Sequence, residues 1–305
     1  MYRTPLPHIV HVKKRGFFVS NQNSIVSLGD LSKPADTLIK KIAKAVGGIF
    51  HPAQIRRVAH AEADARKIEA LSQIEVSELQ HRALQRFLVE EAHKQKNIED
   101  ITRKALPYVD DDANPGTVEN DWIANFFDKC RLVSDDEMQE LWAKLLAGEA
   151  NSPGKYSRRT LALLASLDKY EAELFTSLCS FTVELGGRVA LVYDLEDEVY
   201  NDAGINFSSV MHLESMGLVS VNNLTGFLKK GLAMSGNMFY LGTPIWIGFA
   251  KPSDNNLNIG KVLMTKAGQQ LSAVCSPKPI PGFTDYLREK WRKFGHTTEE
   301  PKSRT

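Results

Sequence analysis

SDDEMQELWAKLLAGEANSPGKYSRRTLALLASLDKYEAELFTSLCSF, residues Ser134–Phe181, decides the fold, because helix start signals and apolar spacing agree along it. Ser134 and Glu137 have the spacing of a capping box, which predicts a helix start at this point. The apolar residues that follow have the i, i+3, i+4, i+7, i+8 spacing of one buried helix face: Met138, Leu141, Trp142, Leu145 and Leu146. Gly148 is predicted to end this helix.

A second start signal lies at Asp168 and Glu171, which predict another capped helix. Its apolar face is formed by Leu174, Phe175, Leu178 and Phe181. The pair Gly186-Gly187 is predicted to close the segment. The two helices predict a helical module over residues 121–187 in a mainly α (α+β) fold.

Length and composition describe a globular chain of balanced charge. Its 305 residues are enough for two or three domains, and 43% hydrophobic content is enough for a sizeable core. Lys and Arg number 38 against 37 Asp and Glu, which excludes a uniformly basic polyanion binder. The charge is uneven, because residues 1–70 hold twelve basic against five acidic residues, whereas residues 107–140 hold two against ten. The first region could face phosphates or anionic lipid, and the second could pair with it in an oligomer.

The cysteines and the N-terminus predict a cytoplasmic protein. Cys130, Cys179 and Cys275 are odd in number and far apart, which fits neither a disulfide framework nor a zinc site. No signal-peptide pattern opens the chain, and no window reaches 18 apolar residues without a charge. Peripheral contact with the inner membrane stays open as an alternative.

Residues 31–106 are predicted to be a long helical region, after an irregular segment at 1–30. Leu38, Ile39, Ile42 and Val46 form one face of a short helix, whose other face carries the basic residues Lys40, Lys41 and Lys44. From Pro52 to Leu106 no further Gly or Pro occurs, which predicts one very long helix or two nearly continuous ones. The narrow apolar stripe of its first part predicts homo-oligomerisation, through the side chains Ile55, Val58, Ile68 and Leu71.

Residues 107–120 are predicted to be a solvated acidic linker that contains Asn-Pro-Gly. Asp110, Asp112 and Asn114 match the first ligands of a calcium loop. However, Pro115 occupies the position that requires glycine, and Asp121 stands where a bidentate glutamate belongs. We therefore expect no metal site in this segment.

Residues 188–276 resemble a winged-helix domain in the order of their predicted elements. RVALVYD and LVSVNN are predicted strands, FYLGTPIWIGFA is predicted as one further strand, and Thr265 is predicted to cap a helix. The recognition helix would be the element from Phe207 to Met216, which carries no Lys or Arg for phosphate contacts. The nearest cations, Lys229 and Lys230, would be wing contacts.

Residues 277–305 are predicted to be a basic amphipathic tail. Phe283, Leu287, Trp291 and Phe294 fall on one face of a helix. Its basic residues, together with Lys40, Lys41 and Lys44, predict a surface for anionic lipid or nucleic acid: Arg288, Lys290, Arg292 and Lys293. The alternative is a terminal helix that is docked on the body of the protein.

Motifs of catalysis are lacking in the sequence. There is no Gly-rich phosphate loop, HExxH or nucleophile elbow, and the spacing of His60, His81 and His93 does not fit a helical metal pair. We therefore predict no catalytic residues, no metal and no cofactor.

Two resemblances indicate a biological setting. LSKPADTLIKKIAKAVGGIFHPAQIRRVAHAEADA and the stretch from Ser134 resemble a bacterial family of unknown function, the domain of unknown function 2806 family, over most of residues 30–275. ELWAKLLAGE and LASLDKYEAELF are also similar to abortive-infection alpha proteins. The resemblance implies a non-enzymatic effector of bacterial anti-phage defence, which self-associates and contacts a partner encoded nearby or an anionic surface. The alternative is a winged-helix transcriptional regulator that binds DNA.

Overall fold

A computed structural model describes residues 31–47 and 78–299. The irregular segment predicted at 1–30 and the predicted oligomerisation residues Ile55, Val58, Ile68 and Leu71 lie outside this part. The helices of the first half are α1 Lys33–Val46, α2 Glu78–Ala105, α3 Asn120–Cys130, α4 Asp136–Asn151, α5 Arg158–Ser166 and α6 Lys169–Cys179. Short 3₁₀ turns occur at Leu106–Tyr108 and Pro115–Thr117.

The second half mixes strands and helices, so that the fold is α+β. Its strands are β1 Thr182–Glu184, β2 Arg188–Ala190, β3 Val219–Val221, β4 Phe227–Leu232, β5 Ser235–Tyr240, β6 Thr243–Gly248, β7 Asn255–Gly260 and β8 Val262–Met264. Its helices are α7 Glu198–Asn201, α8 Phe207–Ser215, α9 Lys266–Ser272 and α10 Phe283–Lys293. None of the helices in the described ranges has the length and apolarity needed to cross a membrane.

The helical half packs around a cluster of aromatic side chains. Helix α2 packs against α4, and α3 packs against both α1 and α5. Trp122 stacks on Phe126, and the edge of Phe126 meets Trp142 with ring centroids 5.2 Å apart. Because Phe126 and Trp142 are fully buried, this cluster is the centre of the helical core.

Helix α4 begins and ends later than the sequence predicts. Its N-cap is Asp135, whose carboxylate accepts from the backbone N–H groups of Glu137 and Met138, so the capping box predicted at Ser134 is wrong. Gly148 does not end the helix, which continues to Asn151. A Cβ at Gly148 would lie 2.7 Å from the Tyr156 hydroxyl oxygen. This glycine therefore allows Tyr156 to approach the helix closely.

Helix α6 has the predicted capping box. The Asp168 carboxylate accepts from the Glu171 N–H, and the Glu171 carboxylate accepts from the Asp168 N–H. The helix ends at Cys179, and the chain continues into the hairpin β1–β2, in which Gly186 and Gly187 form the turn with positive φ. The glycine pair therefore closes a hairpin that the sequence analysis did not predict.

Three antiparallel sheets form the second half. Their strand orders are β2-β1-β5-β6, β3-β8 and β4-β7. Thr265 caps α9 as predicted, because its hydroxyl accepts from the Gly268 N–H. FYLGTPIWIGFA is a hairpin and not one strand, because Leu241 and Gly242 turn the chain with positive φ between β5 and β6.

The predicted acidic linker is attached to the body at several points. Pro115 and Val118 are buried, and the Lys41 ammonium group donates to the Gly116 carbonyl at 2.6 Å. Asn151 donates to the carbonyl of Tyr108 at 2.9 Å. The acidic residues between these points are exposed: Asp110, Asp111 and Asp112.

Helix α10 is docked on the body through its apolar face. Phe283, Leu287 and Trp291 are fully buried, which stabilises the docked position by roughly 2 kcal/mol each. The indole N–H of Trp291 donates to the Tyr193 hydroxyl at 2.8 Å. This arrangement corresponds to the docked alternative for the C-terminal helix.

A polar contact also holds α10. The Tyr286 hydroxyl donates to the Asp197 carboxylate at 2.6 Å, and Lys290 forms an ion pair with the same carboxylate at 3.0 Å. Burial raises the pKa of Asp197, whereas the hydrogen bonds from Tyr286 and Lys290 lower it. The lowering is larger, so the pKa of Asp197 lies below its ordinary value.

Candidate functional site

The first half of α2 is a solvent-exposed length of helix, which we call the rod. Every residue from Glu78 to His93 is exposed, a length of about 24 Å at 1.5 Å per residue. Five of its large apolar side chains are more than half exposed, and three of these are neighbours on the helix surface at i, i+3 and i, i+4 spacing: Leu84 at 55%, Phe87 at 56% and Leu88 at 54%. The other two are Leu79 and Val89. Such a row of apolar side chains on one helix is typical of an interaction surface.

These side chains continue the face by which α2 packs on the body. In the second half of α2, Ile98, Ile101 and Ala105 are buried where the helix packs against α4. Phe87 precedes Ile98 by eleven residues, which is about three helical turns, and Leu84 precedes it by fourteen, about four turns. The exposed and buried apolar residues therefore form one stripe, which we call the α2 stripe.

Polar contacts fix the base of this rod. The Asn97 amide donates to the Arg131 carbonyl at 2.9 Å, and the Gln139 amide donates to the Val133 carbonyl at 2.9 Å. Lys104 donates to the Gln139 side chain at 2.9 Å and also forms an ion pair with Asp136. The direction of the rod is thus set by contacts at its buried end.

Ion pairs along the helix support the exposed half. Arg82 pairs with Glu78, Arg86 with Glu90, and Lys94 with Glu91, at i, i+3 or i, i+4 spacing. Each such pair contributes only about 0.2–0.5 kcal/mol to helix stability. They favour the helix, but they leave the apolar side chains uncovered.

A groove runs beside the base of the rod. It has a volume of about 690 Å³ and is lined by residues of α2 and of the α3–α4 connection, including His93, Asn97 and Arg131. Leu132, which is 72% exposed, lies at this groove. The α2 stripe therefore ends beside a recess that also offers an apolar side chain.

The predicted recognition helix, α8, presents a face without cations. Phe207 and Met211 are exposed on it, and the His212 ring lies 3.0 Å from the Glu171 carboxylate. The predicted wing residues Lys229 and Lys230 lie on β4 and not on this helix. A partly aromatic helix surface without Lys or Arg is suited to protein contact better than to phosphates.

Lys40 and Lys44 of α1 are exposed, whereas Lys41 is half-buried and donates to the Gly116 carbonyl. Leu38 and Ile42 are buried on the inner side, whereas Lys40 pairs with Asp36 at 2.6 Å. Lys44 is exposed and forms no ion pair with a described carboxylate. Because the apolar face is buried, α1 offers an anionic surface only its charges.

The basic residues of α10 are paired with carboxylates. Arg288 pairs with Asp285 at 2.9 Å, Lys290 with Asp197 at 3.0 Å, Arg292 with Glu299 at 3.6 Å and Lys293 with Glu289 at 2.6 Å. These pairs reduce the net positive field of the helix. Over residues 31–47 and 78–299, no three His, Cys, Asp or Glu side chains form a group able to hold a metal ion.

A family model described as protein of unknown function (DUF2806) matches residues 81–288, about two thirds of the chain. The chain belongs to the DUF2806 family. This confirms the family resemblance predicted from the sequence. Neither the comparison with curated proteins nor that with solved structures gives a significant match.

The region that defines this DUF2806 protein runs from the exposed half of α2 into α10. It includes Leu84, Phe87 and Leu88 but neither α1 nor the predicted stripe at residues 55–71. The sequence analysis missed the exposed part of the α2 stripe. The helical spacing of Leu84 and Phe87 before Ile98 and Ala105 indicates one apolar stripe. However, spacing alone does not reveal which half of the stripe is exposed.

Proposed function

We propose that this DUF2806 protein is a non-enzymatic interaction protein that self-associates through the α2 stripe and contacts a partner through its C-terminal half. The observation that carries the proposal is the exposure of Leu84, Phe87 and Leu88 on a rod whose base is fixed. A fixed rod loses little further conformational freedom when a second helix packs on it.

The energetics indicate how large the interface must be. Two copies would bury six half-exposed side chains, at roughly 1 kcal/mol each, so that about 6 kcal/mol is gained. Association costs about 4–15 kcal/mol in lost freedom of motion. Three side chains per copy are therefore insufficient for a stable oligomer. The predicted oligomerisation residues Ile55, Val58, Ile68 and Leu71 would supply the additional apolar contacts.

A matched pair of variants tests this interface. Phe87→Glu places a charge on the α2 stripe, whereas Val89→Glu places it two residues further, about 200° around the same helix. Both native side chains are 56% exposed, so each substitution places one negative charge at an equally exposed position. We expect Phe87→Glu to dissociate the oligomer and Val89→Glu to leave its mass unchanged, measured by light scattering. An equal effect of both variants, or none of Phe87→Glu, would contradict the proposal.

We propose bacterial anti-phage defence as the setting, because of the similarity of ELWAKLLAGE and LASLDKYEAELF to abortive-infection alpha proteins. The exposed face of α8, with Phe207 and Met211, is the proposed contact for a partner encoded nearby. Phage should form fewer plaques on cells that carry the native gene with its neighbouring genes than on cells that carry the Phe87→Glu variant with the same neighbours. Equal plating of all phages tested would contradict this setting.

A winged-helix DNA-binding regulator is the second candidate. The order α6, β1–β2, α7, α8, β3 and β8 supports it, because a winged helix places two strands after its recognition helix in this way. The lack of Lys and Arg on α8 speaks against it. Sequence-selective DNA binding that falls steeply between low and physiological salt would favour this candidate.

A further inference from the structure

The outer face of the β5–β6 hairpin carries two aromatic side chains. Exposed and buried side chains alternate along the middle of both strands, and Phe239 and Trp246 lie on the outer side. Phe239 is 46% exposed, and Trp246 is half-buried. Because Phe239 pairs with Pro244 and Trp246 pairs with Asn237, the two aromatic residues are diagonal neighbours, about 7–8 Å apart. We call the face formed by these four residues the aromatic platform.

The ring of Trp246 leans along its strand. Trp246 and Gly248 are two positions apart, so they share one face of the sheet. A Cβ at Gly248 would lie only 2.5 Å from Cη2 of Trp246. The absence of a side chain at Gly248 therefore allows the indole to lie along the sheet, where it presents one of its faces to solvent.

The chain around the aromatic platform is basic. Residues 215–284, which include β5 and β6, hold six Lys, no Arg and one Asp, in a chain whose net charge is only +1. Lys229 lies on β4, and Lys251 follows the end of β6 by three residues. Neither of these lysines forms an ion pair with a carboxylate of residues 31–47 or 78–299. Both ammonium groups are therefore available to an anionic partner.

Lys229 reaches towards the strand that pairs with the aromatic platform. A Cβ at Gly186, in the turn between β1 and β2, would lie 3.9 Å from the Lys229 ammonium nitrogen. Strand β1 pairs with β5 through Glu184 and Phe239. The Glu184 carboxylate, which is the acidic group on this side, is paired with Arg188 at 2.8 Å. The local charge beside Phe239 is therefore not negative.

Exposed rings beside unpaired cations match the chemistry of unpaired nucleotides. Bases of any sequence stack on aromatic side chains, while lysines contact the phosphates between them. A duplex keeps its bases stacked inside the helix and gains nothing from the rings. A proline-rich peptide also packs on aromatic rings, but it gains nothing from the cations.

We infer that the aromatic platform binds a single-stranded nucleic acid, with one base stacked on Phe239, a neighbouring base on Trp246, and phosphates beside Lys229 and Lys251. This site goes beyond the proposed self-association and does not depend on it, because it uses neither the α2 stripe nor α8.

The fluorescence of Trp246 tests this site directly. The chain has four tryptophans, and Trp122, Trp142 and Trp291 are buried, so a stacked base can reach only Trp246. The full-length protein is titrated with oligo(U) or oligo(dT) of about twelve nucleotides. We expect saturable quenching, and the strand that binds more tightly identifies the ligand as RNA or DNA. Trp246→Phe should abolish the quenching.

A matched pair of phenylalanines separates the aromatic platform from α8. Phe239 is 46% exposed and Phe207, on α8, is 53% exposed. Phe239→Ala should weaken the binding of a fluorescein-labelled strand by roughly five- to a hundredfold, whereas Phe207→Ala should leave it unchanged. Phe239→Tyr retains an aromatic ring and should bind as the native protein does. Equal melting temperatures of these variants would show that each is folded.

The salt dependence tests the two lysines. With two phosphate contacts, raising the salt from about 50 to about 200 mM should weaken binding about sevenfold. With one contact removed by Lys229→Gln, the same change should weaken binding only about threefold. Lys44→Gln, which removes an exposed lysine of α1, is the control and should keep the native salt dependence. A salt dependence unchanged by Lys229→Gln would contradict the assigned phosphate contact.

The labelled strand is finally compared with a DNA duplex and with a proline-rich peptide of similar length. No saturable binding of either strand at about 50 mM salt would overturn the inference. It would also be overturned by a duplex that binds as tightly as the strand, or by equal losses in Phe207→Ala and Phe239→Ala. Binding of the peptide alone would assign the aromatic platform to a protein partner instead.

Discussion

Substitution of Trp142 tests whether the aromatic cluster is the centre of the helical core. This side chain is fully buried and meets the edge of Phe126 at 5.2 Å, so Trp142→Ala should leave a cavity between α3 and α4. From large-to-small substitutions in other cores, the expected loss is about 3–5 kcal/mol. Leu145→Ala, on the same fully buried face, should cost about 2–5 kcal/mol.

Trp142→Phe separates packing from hydrogen bonding. The indole N–H of Trp142 has no acceptor among the described residues, so replacing the ring by a phenyl group removes no hydrogen bond to them. We therefore expect a loss of only about 1–2 kcal/mol, from the smaller ring.

Urea titration followed by far-UV circular dichroism would measure these free energies of unfolding. Leu132→Ala is the control, because this side chain is 72% exposed and its loss should change stability by less than about 0.5 kcal/mol. If Trp142→Ala were no more destabilising than Leu132→Ala, Trp142 would not be at the centre of the core. If Trp142→Phe were as destabilising as Trp142→Ala, packing would not account for the loss.

Three further predictions concern capping, acid stability and charge. Asp168→Ala should destabilise the protein by about 1 kcal/mol, whereas Asp168→Ser, which can still cap α6, should keep most of that stability in the same titration. Burial raises the folded-state pKa of Asp197, but the hydrogen bonds from two neighbours lower it by more. The folded-state pKa of Asp197 therefore lies below its unfolded value. Its stabilising contribution is therefore present above about pH 4 and is lost as the pH falls through the lowered folded pKa, so Asp197→Asn should flatten the acid limb of a stability-versus-pH curve. If Lys40, Lys41 and Lys44 bind anionic vesicles, replacing all three by Gln should weaken co-sedimentation about a hundredfold, at about 1 kcal/mol per cation. Full binding by the triple variant would exclude these lysines.

Sequence reasoning succeeded where the signal was local. Asp168 with Glu171, and Thr265, cap helices as predicted, because a capping side chain and its N–H partners lie within one turn. The apolar faces of α1, α4, α6 and α10 were also predicted, because their periodicity is strong.

It failed where distant residues decide the outcome. Gly148 is inside α4 because Tyr156, in a later loop, needs the space. The turn between β5 and β6 was not predicted, because Leu241 adopts positive φ there and an apolar residue rarely does so. Which apolar face is covered is also a tertiary property. The apolar spacing of α10 and of α2 does not show whether the apolar face is covered. In the structure the apolar face of α10 is buried, whereas half of the α2 stripe is exposed.

The mass of the full-length protein in solution tests the central claim most directly. One chain has a mass of 34.1 kDa, and sedimentation equilibrium over a range of micromolar concentrations would measure the assembled mass. Self-association through the α2 stripe predicts a mass of at least two chains, which Phe87→Glu lowers towards that of one and Val89→Glu does not. A mass of one chain at all these concentrations would contradict the claim.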